Sequence, residues 1–170
     1  MNHIEQWIWL PEERYPGNQI TRYSERVNNP IAGNYTVAAF SREYLFPKAI
    51  QSVDLRFSGD TAFALFCNDV HIANGPVLPG GDFLSSYNND PLPQHYATQM
   101  SLTADVDPAF SRGKLAFYAQ VRMMPVQCFD YSRGHGGFFL TAHIRFADGT
   151  KTIAHTDSSW SARRMSTYTA

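Results

Sequence analysis

The chain has 170 residues, 44% of them hydrophobic and 14% aromatic, with 14 lysines and arginines against 15 aspartates and glutamates. This composition is too apolar, and the formal net charge of −1 too small, for a disordered chain. The balanced charge also excludes a general nucleic-acid binder, which carries an excess of basic residues. No stretch is long and apolar enough for a membrane span or a signal peptide, so we predict a cytoplasmic protein that binds neither nucleic acid nor membrane.

The first 34 residues differ from the rest of the chain. Trp7 and Trp9 alternate around Ile8, which is typical of a short strand. After them, proline, glycine and asparagine recur too often to permit a long helix or strand. We therefore predict an extended N-terminal arm over residues 1–34 that packs on the domain.

Strand patterns dominate from residue 35 to residue 160. Val53, Leu55 and Phe57 alternate with polar neighbours, as in a strand with one buried face. Residues 62–67 are apolar on both faces, which predicts a strand in the middle of a sheet. Helical signals are weak, and residues 94–102 fit at most a short helix. The short strands and frequent turns predict an all-β fold, an antiparallel β-sandwich or jelly roll.

Two dipeptides predict tight hairpin turns. Asn68-Asp69 interrupts two strand-like runs, and both residue types tolerate the positive φ of a two-residue turn. Asp148-Gly149 is a stronger signal of the same kind. A two-residue turn there places Ile144 opposite Ile153.

The residue types needed for catalysis do not form a recognisable set. All five glutamates lie within the first 43 residues, and Asp105 and Asp107 have the setting of a solvated surface turn. The predicted hairpin register puts the rings of His143 and His155 on opposite faces, which argues against a metal site. The sequence offers Cys128, Asp130 and His135 as a triad only by proximity. We predict no catalytic residue and no metal ligand, and expect both cysteines to be reduced.

Two loops combine aromatic with polar residues, a mixture that suits sugars because aromatic rings pack on the apolar side of a pyranose while short polar groups bind its hydroxyls. The alternative is that these aromatics anchor the loops on the sandwich or on another domain. Calcium is compatible with Asp82, Asn88, Asn89 and Asp90 but is not required by them. The carbohydrate-binding candidates are Asp82, Tyr87, Asn88, Tyr131, Arg133 and His135.

Several segments carry a family resemblance through their order and spacing. They are residues 40–44 (FSREY), 49–54, 59–70, 74–83 (with Gly75-Pro76 and Pro79-Gly80-Gly81-Asp82), 105–115, and 148–160 with its closing Asp157-Ser158-Ser159-Trp160. Together they resemble the N-terminal β-sandwich of bacterial α-L-rhamnosidases and related glycoside hydrolases. Asn68-Asp69 departs from the usual Asn-Gly of that family, and Lys114-Leu115 from its usual Glu-Asn.

The resemblance implies a galactose-binding-like jelly roll that precedes further domains. The catalytic acids of that family lie in a helical barrel, and no residue here matches them. The expected function is therefore a non-catalytic accessory domain whose partners are the downstream domains of the same polypeptide and rhamnose-containing carbohydrate. Residues 161–170 are expected to begin the linker to those domains. The alternatives are a self-sufficient carbohydrate-binding module and, more weakly, a small jelly-roll enzyme or metal protein.

Overall fold

The computed structural model of the chain describes residues 6–11, 36–60, 62–75, 97–105, 107–123 and 136–166, which contain no α-helix. No helix in this part of the chain could cross a membrane. A 3-10 helix, Pro108–Arg112, precedes the sixth strand. The strands of the described residues are β1 (Thr36–Leu45), β2 (Ile50–Gly59), β3 (Ala62–Cys67), β4 (Val70–Asn74), β5 (Thr98–Thr103), β6 (Lys114–Met123), β7 (Phe138–Phe146), β8 (Lys151–His155) and β9 (Ser161–Arg164).

These strands form two antiparallel sheets. The five-stranded sheet has the order β4-β3-β6-β1-β9, and the four-stranded sheet has the order β5-β2-β7-β8. The predicted antiparallel β-sandwich is therefore confirmed. β1 and β7 run in the same direction, because Phe40 lies against Phe138 and Phe46 against Phe146. β9 is antiparallel to β1 and β8 to β7, so β8 and β9 also run in the same direction, each at the edge of its own sheet. The chain thus changes sheets between them.

The two ends of the sandwich differ. At one end, which we call the turn end, connections of at most ten residues join β1 to β2, β3 to β4, β5 to β6 and β7 to β8. At the other, the loop end, β4 and β6 finish while β1, β5 and β7 begin. The long connections 75–97 and 124–137 both start and finish at the loop end.

Aromatic side chains fill much of the space between the sheets. Val53, Leu55 and Phe57, predicted to be buried, are 0, 2 and 0% exposed. Phe40 of β1 stacks on Phe138 of β7 with ring centroids 5.6 Å apart, which joins the two sheets directly. Burying each such side chain contributes about 1.5–3 kcal/mol, so this apolar layer is the main source of stability.

The β3–β4 hairpin has the predicted tight turn. Asn68 and Asp69 have φ values of 46° and 67°. These are the left-handed values of a two-residue type I′ turn, and Asn and Asp reach them at lower cost than most residues. Cys67 accordingly pairs with Val70.

The β7–β8 hairpin differs from the prediction by one residue. Phe146 N donates to Thr150 O and Gly149 N donates to Phe146 O, both at 2.9 Å. Three residues, 147–149, therefore lie between the hydrogen-bonded Phe146 and Thr150. Gly149, with φ of +83°, is the residue in excess of the predicted two. Such a three-residue loop ends in a left-handed bulge residue. Ile144 consequently pairs with Thr152 instead of the predicted isoleucine.

The helix considered for residues 94–102 is wrong over its described part. Residues 98–103 form β5, an edge strand that pairs with β2. Met100 and Leu102 alternate with exposed neighbours and pack against the core. The period is therefore two, and the sheet provides hydrogen bonds that an isolated short helix lacks.

The sheet continues beyond Trp160, where the sequence placed the end of the sandwich. Residues 161–164, assigned there to a linker, pair with β1 as β9. Met165 N also donates to Val37 O at 2.8 Å. The predicted boundary is therefore early by at least four residues.

The structure describes residues 6–11 of the predicted N-terminal arm. Ile8 forms a β-bridge with Phe138, with N···O distances of 2.9 and 3.0 Å. Leu10 is 2% exposed and belongs to the core. Thr156 Oγ1 donates to Gln6 O at 2.6 Å. This segment therefore packs along β7 where β8 has ended, and residues 12–34 lie outside the described residues.

Candidate functional site

The two loops predicted to bind sugar share the loop end. The first lies between Asn74 of β4 and Thr98 of β5, and the second between Met123 of β6 and Phe138 of β7. β5 and β7 flank β2 in the four-stranded sheet, and both Thr98 and Phe138 pair with its last residues. The points at which the two loops re-enter the sandwich are therefore close together.

The predicted binding residues themselves stay predictions. All of them lie outside the described residues, as do the additional calcium candidates. This applies to Asp82, Tyr87, Asn88, Asn89, Asp90, Tyr131, Arg133 and His135.

Two tryptophans of the N-terminal segment pack on the base of the second loop. A Cβ on Gly136 would lie 2.1 Å from the ring of Trp9, and one on Gly137 would lie 2.7 Å from the ring of Trp7. Trp7 also meets Phe139 edge-on at 4.8 Å while remaining 43% exposed. These two glycines therefore make room for the indole rings just before β7.

Asn68 holds the turn end together. Its Nδ2 donates to Asp107 Oδ2 at 2.5 Å and to Lys114 O at 3.3 Å, and its Oδ1 accepts from Ala116 N at 2.8 Å. Asp107 Oδ1 in turn accepts from Ala109 N at 2.8 Å at the start of the 3-10 helix. Both residues therefore have structural partners, although Asp107 was predicted to be a solvated aspartate.

The closing Asp157-Ser158-Ser159-Trp160 element shapes the crossing from β8 to β9. Asp157 Oδ1 accepts from the hydroxyl of Ser159 and, at 2.8 Å, from its backbone N–H, and these bonds lower the pKa of Asp157. Trp160 is buried, stacks on Phe117 with centroids 6.2 Å apart and donates from Nε1 to His155 O at 3.1 Å. The element stabilises the fold.

An open cleft lies beside the turn end of the four-stranded sheet. Its volume is about 440 Å³, and it is lined by Gln51, Ser52, Asp54, Thr103, Ala104, Asp105 and Arg145. Asp54 Oδ1 accepts from Ser101 Oγ at 2.5 Å. Asp105 is exposed, as predicted. The arrangement suits solvated polar groups, whereas glycoside hydrolysis uses two carboxyl groups on opposite sides of an enclosed sugar.

His143 and His155 lie on the same face, contrary to the prediction. His143 pairs with Ile153, and His155 pairs with Thr141, because the bulge at the turn shifts the register by one residue. The reason given against a metal site is therefore wrong. Among the described residues, however, no group of three or more histidines, cysteines, aspartates and glutamates could hold a metal ion.

Cys67 is a free thiol on the core side of β3. It is 1% exposed, and burial, with a smaller contribution from Asp107, raises its pKa to about 12. The thiolate is the nucleophilic form, so this cysteine is chemically inert in the folded chain. Cys128 lies outside the described residues.

A surface that the sequence reasoning missed lies on the outer face of the five-stranded sheet. We call it the aromatic face and define it by Phe66, His71, Asn74, Tyr118 and Gln120. Phe66 pairs with Tyr118 across β3 and β6, and with His71 across β3 and β4. The ring centroids of these two pairs are 5.8 and 5.2 Å apart. Asn74 and Gln120 flank Ala64, so a small residue forms the floor between two amides.

This surface is only partly covered. Phe66, Tyr118 and Gln120 are half-buried, while His71 and Asn74 are exposed. In the sequence, the alternation of Tyr118 and Gln120 with apolar neighbours was the pattern that could have indicated an outer face here. Residues 62–67 are apolar on both faces and were predicted to lie in the middle of a sheet, a prediction that left no exposed outer side.

The comparisons with known proteins come from structure alone. No protein-family model matches the chain, and no curated protein matches it in sequence. A GH78 family rhamnosidase of Bacillus sp. GL1 is similar with a TM-score of 0.61 and 22% identity, over 96% of this chain and 14% of that protein. The α-L-rhamnosidase of Aspergillus terreus is similar with a TM-score of 0.53 and 17% identity, over 77% and 15%.

A third similar structure is a lectin. The lectin of Pleurotus ostreatus in complex with GalNAc has a TM-score of 0.50 and 17% identity, over 76% of this chain and 31% of the lectin. The chain thus spans less than a third of each of these three proteins. In fold, the chain resembles one domain of α-L-rhamnosidases, as the sequence motifs indicated.

Proposed function

We propose that this chain is a non-catalytic accessory domain of a larger α-L-rhamnosidase-like glycoside hydrolase. The observation that carries the proposal is the structural match to the Bacillus rhamnosidase, which covers 96% of this chain but only 14% of the enzyme. Within a much longer enzyme, a domain of this size acts by packing on its neighbours and by forming part of the wall of the carbohydrate-binding cleft.

The roles of the motif residues support this proposal. Asn68 bridges a turn to β6, and Trp160 packs between strands of both sheets. Residues that produce the family resemblance are thus engaged in holding the sandwich together. Structural roles of this kind are expected of motif residues in a domain that serves as a scaffold while another domain carries the catalytic residues.

The proposal is tested on the polypeptide encoded by the complete reading frame. We expect that polypeptide to hydrolyse a chromogenic α-L-rhamnoside. Deleting residues 1–164 should lower its melting temperature and its yield of folded enzyme, while the kcat of the folded fraction changes by less than about tenfold. A reading frame without a glycoside-hydrolase domain, or a folded deletion variant without activity, would contradict the proposal.

The likeness to the Pleurotus lectin favours a second candidate, a self-sufficient carbohydrate-binding module. In that case, the isolated chain binds sugar without the help of any other domain. Calorimetric titration of the isolated chain with L-rhamnose and with GalNAc tests the second candidate only, because an accessory domain that also contacts sugar is compatible with the first. Saturable heat from the isolated chain supports the module, whereas an absence of heat with both sugars excludes it for these ligands.

A further inference from the structure

We propose that the aromatic face binds a neutral monosaccharide unit of a carbohydrate. This site lies on β3, β4 and β6 and is separate from the two loops at the loop end. The inference concerns this chain alone and does not rest on its belonging to a larger enzyme.

The first observation is the shape of the aromatic face. Phe66 and Tyr118 are neighbouring half-buried rings on the outside of the sheet, and the ring of exposed His71 adjoins Phe66. Aromatic carbons exposed in this way can pack against the C–H side of a pyranose. Ala64 leaves a shallow floor next to the rings, between Asn74 and Gln120.

The second observation is the state of the polar groups. Gln120 Nε2 donates to Met165 Sδ at 3.1 Å, and Tyr118 OH is 4.0 Å from the same sulfur. A thioether is a weak acceptor, so both groups remain available as donors to a ligand oxygen. His71 Nε2 donates to Asn74 Oδ1 at 2.8 Å, which orients the amide and leaves its Nδ2 directed away from that bond.

The third observation is the charge on and around the face. None of its five defining residues is a carboxylate, a lysine or an arginine, while exposed Arg122 follows Gln120 on the same side of β6 and exposed Arg163 lies one strand beyond it, opposite Ala39. Two amides, a phenol and an imidazole can together donate to and accept from sugar hydroxyls. At the turn-end border, Lys114 Nζ and Glu43 Oε2 are 3.1 Å apart and compensate each other. A neutral polyhydroxylated ring therefore matches the five residues of the face, and the arginines beside it disfavour a cation.

The test is a titration of the ¹⁵N-labelled chain with L-rhamnose, D-galactose and GalNAc, followed by NMR. We expect saturable shifts of amides in β3, β4 and β6 at concentrations up to about 50 mM, within the range of weak sugar sites. Shifts restricted to residues at the loop end, or no shift with any of the sugars, would overturn the proposal.

Substitutions then assign the binding to individual side chains. Tyr118→Ala should weaken binding at least about tenfold, and Gln120→Ala about fivefold, because a stacking surface or a hydrogen-bonding amide is lost. Tyr118→Phe keeps the ring and loses only the hydroxyl donor, so it should weaken binding less than Tyr118→Ala does, which separates a loss of the stacking surface from a loss of folding. Ile153→Ala, an exposed position on the other sheet, is the matched control. Unchanged affinity in both Tyr118→Ala and Gln120→Ala would overturn the assignment.

Discussion

Single residues at the turn end have roles that their chemistry explains. Asn68 adopts a left-handed conformation in a tight turn and uses both ends of its side-chain amide to bind β6 and the 3-10 helix. Aspartate in its place would keep the turn but lose the donor to Asp107. Hydrogen bonds within the fold, and not ligand recognition, therefore explain the asparagine at position 68.

Alanine substitutions at two glycines distinguish the cost of backbone strain from the cost of steric overlap. Gly113 and Gly149 have φ values of +69° and +83°, but a Cβ on Gly113 would lie 2.2 Å from Phe46 O, whereas nothing lies within 4 Å of one on Gly149. We expect Gly149→Ala to lower the free energy of unfolding by about 1 kcal/mol. Gly113→Ala should cost at least about twice as much. Urea unfolding of both variants checks the order, and equal losses would contradict the overlap.

Cys67 provides a test of burial in the core. Because burial raises its thiol pKa to about 12, we expect Cys67 in a Cys128→Ser background not to react with a thiol reagent at pH 8 until the chain unfolds. Urea should expose the thiol completely. Reaction of the native protein at the rate of a free thiol would show that β3 does not face the core.

The same pKa shift gives a pH dependence. A thiol whose pKa is raised by folding contributes stability below its unfolded value, and this contribution is lost as the pH rises through about 9 towards 12. We expect the free energy of unfolding to fall between about pH 8 and 11, and to fall less steeply in Cys67→Ala. Parallel curves for the two proteins would contradict this.

At the scale of elements, alternation and turn chemistry predicted most of the strands. The buried face of β2 follows directly from Val53, Leu55 and Phe57, since a period of two with β-forming residues leaves little choice. The type I′ turn at Asn68-Asp69 follows from the tolerance of both residues for positive φ. These elements are determined by local sequence.

Elements that depend on tertiary partners were not predictable in the same way. Asp-Gly permits either a two-residue turn or a three-residue turn with a bulge. The bulge at Gly149 shifts the pairing by one residue, and this places His155 on the same face of the sheet as His143. β5 and β9 are edge strands with weak local signals, and they form because β2 and β1 offer unpaired backbone groups. The aromatic face likewise needs the alignment of three strands.

The crossing from β8 to β9 yields a prediction at this scale. Hydrogen bonds from Ser159 lower the pKa of Asp157, so its carboxylate stabilises the fold above the ordinary carboxyl pKa and loses this effect as the pH falls below about 4. We expect Asp157→Asn to be less stable than the parent chain at pH 7, and the gap between the two to narrow as the pH falls to 3.

Urea midpoints at the two pH values measure this difference. Asp105→Asn, which removes an exposed aspartate on the β5–β6 connection, is the control for loss of charge. A gap between Asp157→Asn and the parent chain that stays constant from pH 7 to pH 3 would show that the ionised carboxylate does not hold the crossing.

At the scale of the molecule, the two ends of the sandwich differ in the length of the connections between their strands. Short turns bound by side-chain hydrogen bonds close the turn end, whereas at the loop end β4 and β6 finish and β5 and β7 begin, before and after connections that lie mostly outside the described residues. The Trp9–Gly136 contact fastens the N-terminal segment to the base of the second loop. The strands thus fix the points at which these two connections leave and re-enter the sandwich.

This contact predicts a whole-domain effect. Gly136→Ala places a methyl group where the Trp9 ring lies and strains a backbone at φ of +57°. We expect the N-terminal segment to detach, with faster hydrogen exchange at Ile8 and Phe138, whose backbone groups pair there. Gly149→Ala, equally strained but without a neighbouring ring, should leave that exchange unchanged. Similar exchange in both variants would contradict the role of the tryptophan.

The most direct test of the proposed function is a hydrolysis assay on this chain alone. Purified residues 1–170 are incubated with 4-nitrophenyl α-L-rhamnopyranoside, and nitrophenol release is compared with a blank. A scaffold whose motif residues are engaged in turns and sheet crossings should release none above the blank. Release that follows the purified protein and disappears on substitution of one of its own carboxylates would show that this sandwich carries out the chemistry itself.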